Sequence, residues 1–433
     1  MKKLFTLLIC IGSLLLGFTS CGDEALDVDS VNRQTLLVFF PWSGGTNTSG
    51  LYEDLLANVD SMCEGIKAQK GLKNARVLVF MSRNSRRSNL FELKYDAAQK
   101  TVVRDTLQTY DDGSFYNSPE GIASIINDVK KQAEALNYSM IIGCHGCGWT
   151  YAEDWTSYPN FARPSSGASS NTSLNTIPNV NLNASTDNFS GIQYGDDPNH
   201  PKTRFFGSVS LEDASIDVST LAEGIKLSNT KMQYVVFDAC YMSNVETAYE
   251  LKDATNFLIA SSSEVLAFGL PYKTIWSSLI SSAPSYANIV SGTVGFYAKS
   301  STPACNLAAI DCRQMDNLAS VMKEINTSYK LSSSIPLDSI QPLDGFRPNL
   351  FYDLGVYVDS LKPTGYLKDK FTSQLKATVK AAQSTSYVIT SLWSMSGAEI
   401  RVKSYSGLTI SDPSTHSVAI KGREKTGWWK ATH

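Results

Sequence analysis

The chain has 433 residues, room for two to four domains at roughly 100–200 residues each. Lys and Arg number 38 against 41 Asp and Glu, a net charge of −3, so the basic excess of a nucleic-acid binder is missing. Apolar residues make up 42% and the cysteines number eight, which excludes a disordered chain and a disulfide scaffold.

In chain order, Lys2 and Lys3 precede an apolar run over 4–18 that is short for a membrane span. Basic end, apolar centre and small-residue exit are the layout of a signal peptide, here residues 1–20. The exit reads Phe18-Thr19-Ser20-Cys21. Small residues followed at once by Cys resemble a bacterial lipobox, in which Cys21 becomes the new N-terminus and carries lipid. Residues 21–33 then form a polar, acidic tether. The expectation is an exported protein, lipid-anchored to the cell envelope.

The body alternates apolar runs with amphipathic ones. Residues 34–40 predict a buried strand. A helix is expected from about 49 to 71, with Leu51, Leu55, Val59, Met62 and Ile66 on one face. Further strands are expected over 76–81, 138–142, 233–237, 256–261 and 305–310. Ser118-Pro119 opens a helix between the first and second of these, and Ser243-x-x-Glu246 reads as a capping box. Such alternation predicts an α/β domain with a mostly parallel sheet over 34–312. Residues 154–205, rich in Ser, Asn, Gly and Pro, read as a flexible surface insertion. Residues 313–433 are expected to form a smaller C-terminal subdomain, with a helix over 367–383.

In a parallel sheet, ligands bind outside the carboxyl ends of the strands. His145 and Cys240 both follow such ends. A thiol attacks as thiolate, and an adjacent imidazole can take its proton. The backbone N–H groups of Gly146 and Cys240 are candidates for an oxyanion hole. Taken singly, a Cys is more often a small buried hydrophobe and a His a satisfied core residue. Both at strand ends, each with small neighbours, points to catalysis. His200 and His416 lie in polar stretches and His433 is the last residue, which leaves His145 as the His at the end of an apolar strand.

The stretches CHGCGW (144–149), VVFDACYMSNVETAYELKD (235–253), IASSSEVLAFGLPY (259–272), LAAID (307–311) and YSGLTISDP (405–413) resemble the clostripain-like cysteine peptidases. These belong to one clan with caspases, legumains and gingipains. The resemblance implies a caspase-like three-layer αβα sandwich and a Cys/His dyad, with Cys240 as nucleophile and His145 as base. It implies protein or peptide substrates cut after Arg or Lys. Asp238 matches the acid at the floor of the pocket for the basic side chain. Residues two apart in a strand share a face, so Asp238 would share one with Cys240. Glu264 is a second pocket candidate.

Members of this family are often zymogens cut between the His and the Cys. The insertion offers Arg163, Lys202 and Arg204 in a cleavable context. Cys144 and Cys147 flank His145, a departure from the family pattern. A second Cys pair at metal spacing is not in the sequence, so no metal is expected; a disulfide between them, or with Cys305 or Cys312, stays open, and two small semi-buried residues is the preferred reading. No cofactor is expected, and calcium enters only through the resemblance. Two alternatives stay open: an inactive surface-binding lipoprotein with the same fold, and a peptidase of non-basic preference.

Overall fold

The computed structural model describes residues 31–41, 51–84, 87–111, 114–151, 154, 206–207, 215–390, 392 and 398–433. The leader, Cys21 and the insertion's Arg163, Lys202 and Arg204 lie outside the described residues.

A nine-stranded sheet forms the middle layer. Its strands are β1 (Gln34–Phe40), β2 (Ala75–Asn84), β3 (Arg87–Asp96), β4 (Thr101–Tyr110), β5 (Asn137–Gly143), β6 (Met232–Asp238), β7 (Thr255–Ala260), β8 (Asn306–Asp311) and β9 (Val379–Ser384). In space they run β9-β8-β7-β6-β5-β1-β2-β3-β4. The five central strands, β7 to β2, pair in parallel. Two strands at each edge pair antiparallel. The fold is therefore α/β with a parallel centre, as expected.

Alternation along the strands explains why the sheet is covered on both faces. Leu37 and Phe39 of β1, with Met140 and Ile142 of β5, pack into one core. It is closed by α2 (Pro119–Gln132), α3 (Val218–Leu227), α4 (Val245–Glu250) and α7 (Met315–Ser328). Leu36, Val38 and Phe40 with Ile141 face the opposite core, closed by α1 (Leu51–Ala68), α5 (Tyr272–Leu279) and α6 (Tyr286–Tyr297). The result is three layers. Ser118 caps α2 by accepting from the Gly121 N–H at 3.1 Å, with Pro119 in the first turn, as its sequence predicts.

Three local readings change. The hairpin β3–β4 was not legible as strands, because most of β4 is polar and only partly buried. The helix expected over 367–383 ends early: α8 (Tyr366–Thr378) gives way to β9, whose Ala- and Gln-bearing stretch pairs with β8. Helix propensity there is overridden by an open sheet edge. The cap of α4 is Asn244, accepting from the Thr247 N–H at 2.7 Å, not Ser243. Ser243 Oγ donates instead to the Gly407 carbonyl at 2.7 Å, and Glu246 accepts from the Ser411 N–H at 2.9 Å. The segment after residue 313 thus supplies both a sheet edge and partners for α4.

Candidate active site

Strand register brings His145 and Cys240 together. Gly143, the last residue of β5, pairs with Asp238, the last of β6. His145 and Cys240 each lie two residues further on, so they leave neighbouring parallel strands at the same level. Such strands lie about 4.8 Å apart. The Cys144 N–H bonds the Asp238 carbonyl at 3.4 Å, continuing the ladder one step past the strands. One pocket is lined by both candidate residues with Asp238, Asn58, Leu55 and Val265.

The loops beyond the strands are in backbone contact. A Cβ on Gly146 would sit 2.4 Å from the Cys240 carbonyl oxygen and 2.9 Å from its nitrogen. Only glycine permits that approach. Neither the Gly146 N–H nor the Cys240 N–H meets a backbone acceptor among the described residues. Both N–H groups are candidates for receiving an oxyanion.

The electrostatics of the pair follow from burial. His145 is half-buried in the loop, and desolvation pushes its imidazole down to about 4. Burial first, then the charge of Glu264, pushes the Cys240 thiol up, while the Val265 N–H opposes the shift. That N–H reaches Cys240 Sγ at 3.3 Å. Both shifts favour the neutral forms, thiol and imidazole.

Asp238 is buried at the pocket. Its Oδ2 accepts from Tyr272 Oη at 2.7 Å and the Leu270 N–H at 3.1 Å, while Oδ1 has no partner. Burial raises this carboxyl to about 6, against the two hydrogen bonds that lower it. Gly269 has φ of 66°, and a Cβ there would stand 2.5 Å from Asp238 Oδ2. The chain keeps the carboxylate's surroundings open by leaving a side chain out. Glu264 does not line this pocket. Its Oε1 accepts from Tyr241 Oη at 2.7 Å and from Thr390 Oγ at 2.6 Å.

None of the six described cysteines forms a disulfide. Cys144 lies in the main core, and Cys147 shares a small apolar cluster with Cys240 and Tyr241. Both are buried, more deeply than the semi-buried setting expected. Among the described residues, no three His, Cys, Asp or Glu side chains gather to hold a metal ion. Sequence reasoning passed over Tyr241, Val265 and Tyr272, although all three fall within the stretches quoted above.

The chain was compared with known proteins. The Clostripain family profile (Peptidase_C11) matches residues 191–408. A secreted C11 cysteine protease from Bacteroides thetaiotaomicron is 37% identical, across 93% of this chain and 99% of that one, with a TM-score of 0.76. This chain belongs to the clostripain family. It is accordingly a cysteine peptidase by descent and by fold. A clostripain from the same organism, solved with the peptide inhibitor BTN-VLTK-AOMK, is 44% identical across 53% of this chain and 99% of that chain, TM-score 0.50. An inactive zymogen C11 protease from Parabacteroides distasonis, 22% identical across 93% of this chain and 99% of that chain, shares the fold at a TM-score of 0.69. No curated protein matches the chain.

Proposed function

We propose that this clostripain-family chain is an exported endopeptidase that cuts after Arg or Lys through a Cys240/His145 dyad. The observation that carries the reading is the shared register step, with Gly143 opposite Asp238 and the two reacting side chains each two residues on.

The substrate carbonyl lies between Cys240 Sγ and the N–H groups of Gly146 and Cys240. His145 takes the thiol proton as sulfur attacks, acting as general base, a role that suits two groups whose burial favours their neutral forms. The tetrahedral oxyanion falls to the two N–H donors. His145 then protonates the leaving amine and a thioester remains on Cys240. Water, activated by the same imidazole, hydrolyses it. The basic side chain reaches Asp238, whose unpartnered Oδ1 is suited to an ammonium or a guanidinium. The VLTK sequence of the inhibitor bound by the 44% identical relative supports that preference.

Export and lipid attachment at Cys21 rest on the leader and on the secreted relative. Activation by a cut within 154–205, at Arg163, Lys202 or Arg204, rests on the insertion's composition. One preparation tests the proposal. Hydrolysis of Arg peptide amides should vanish in Cys240→Ala and fall at least about 100-fold in His145→Ala. Mass spectrometry should find a cut wild-type chain and an intact Cys240→Ala chain. Unchanged hydrolysis in either variant would sink the dyad.

A further inference from the structure

We propose that Glu264 is a positioning residue for Cys240: its carboxylate, bonded by Tyr241 on one side and Thr390 on the other, fixes the turn that aims the thiol. The inference rests on the reading of Cys240 as nucleophile.

Three consecutive residues grip two others. The Tyr241 N–H donates to the Ser263 carbonyl at 3.0 Å. Tyr241 Oη donates to Glu264 Oε1 at 2.7 Å, and the Val265 N–H reaches Cys240 Sγ at 3.3 Å. This grip answers a conformational problem. Tyr241 has φ of 62°, in the left-handed region that a bulky side chain disfavours. Such a residue stays there only where its surroundings over-determine it. Its ring is stacked on Phe351 at 5.4 Å and tilted against Phe346 at 5.5 Å. Stacking alone leaves the ring free to slide in its plane, and the hydroxyl bond to Glu264 removes that freedom.

Glu264 is itself held. Thr390 is buried in the hairpin formed by Tyr387–Thr390 and Ala398–Arg401, and its hydroxyl donates to the same Oε1 at 2.6 Å. Gly345 makes the space, since a Cβ there would overlap the Thr390 side chain. The C-terminal hairpin therefore reaches the nucleophile through one carboxylate.

Among the described residues, the ionisable groups around the thiol are Glu264, Tyr241, Asp238 at the end of β6, and Cys147 and His145 from the loop after β5. Glu264 exerts two effects on it. Its hydrogen bonds hold the turn, and its charge opposes the thiolate. Glu264→Gln keeps an acceptor for both hydroxyls and deletes the charge, whereas Glu264→Ala deletes both. Tyr241→Phe deletes one bond and keeps the charge.

The test measures kcat and KM on Arg and Lys peptides, and the pH midpoint of Cys240 alkylation by iodoacetamide, in the full chain. Glu264→Ala should lower kcat about 10- to 100-fold with KM nearly unchanged. Tyr241→Phe should follow it in kcat without moving the alkylation midpoint. Glu264→Gln should keep kcat within a few-fold and move that midpoint down by about half a pH unit or more. A rise in KM confined to basic substrates, with kcat unchanged in Glu264→Ala, would make Glu264 a pocket acid and overturn the proposal. So would an unmoved midpoint in Glu264→Gln. Alkylation needs no substrate, so these arms still decide if the chain hydrolyses no peptide.

Discussion

At the scale of single residues, Asp238 carries the most distinctive physics. It is a buried carboxyl raised to about 6, with one oxygen bonded by Tyr272 and Leu270 and the other without a partner. In the free enzyme it ionises as pH rises through that value, and a cation in the pocket favours the ionised form. The kcat/KM for Arg substrates should therefore climb through about pH 6, since that ratio reports the free enzyme. Asp238→Asn should lose that limb and fall about 100-fold or more on Arg and Lys peptides, with little change on a citrulline peptide. An unchanged pH profile for the Asn variant would remove Asp238 from the pocket. His145 and Cys240 could be singled out because both follow strand ends, and Asp238 through the family resemblance. Glu264 was singled out only as a pocket acid, because its partner Thr390 is far away in sequence and nothing local predicts that bond.

At the scale of elements, the start of α4 shows how a local pattern is overruled. Ser243-x-x-Glu246 satisfies the capping-box rule, yet the fold commits both side chains to residues 407–411 and gives the cap to Asn244. The burial that results is costly. Glu246 is pushed up to about 8 by burial and then by the charge of Asp412, itself raised to about 7 by burial. Glu246 Oε2 and Asp412 Oδ2 have no hydrogen-bond partner. A carboxyl whose folded pKa is raised binds its proton more tightly folded than unfolded, so stability is lost as pH rises through the folded value. Glu246→Gln should therefore stabilise the chain by about 1 kcal/mol or more at pH 8.5 and by almost nothing at pH 4. Denaturant titration at the two pH values checks this; a gain that is equal at both would contradict it. Strand β9 teaches the same lesson, since its residues read as helix until β8 offers them an edge.

At the scale of the molecule, the central strands and helices α1, α2 and α4 were legible from apolar runs and start signals, whereas α3, α5 and α6 were not read from the sequence. What periodicity could not reveal is how the C-terminal residues buttress the site. Ser411 accepts from Trp149 Nε1 at 2.9 Å, four residues after His145, and its N–H reaches Glu246. Thr409 bridges to Asn244, just past Cys240. Both loops of the proposed dyad are thus tied to one late stretch of chain, contacts that depend on tertiary closure and leave no local signature. The central claim is that this arrangement makes Cys240 a nucleophile aimed at a basic residue. The most direct measurement is covalent labelling by an Arg acyloxymethyl ketone beside its citrulline counterpart, with the modified residue located by peptide mass spectrometry. The expected result is a label on Cys240, fast with Arg, slow with citrulline and lost in Cys240→Ala. A label on another residue, or equal labelling by both probes, would contradict it.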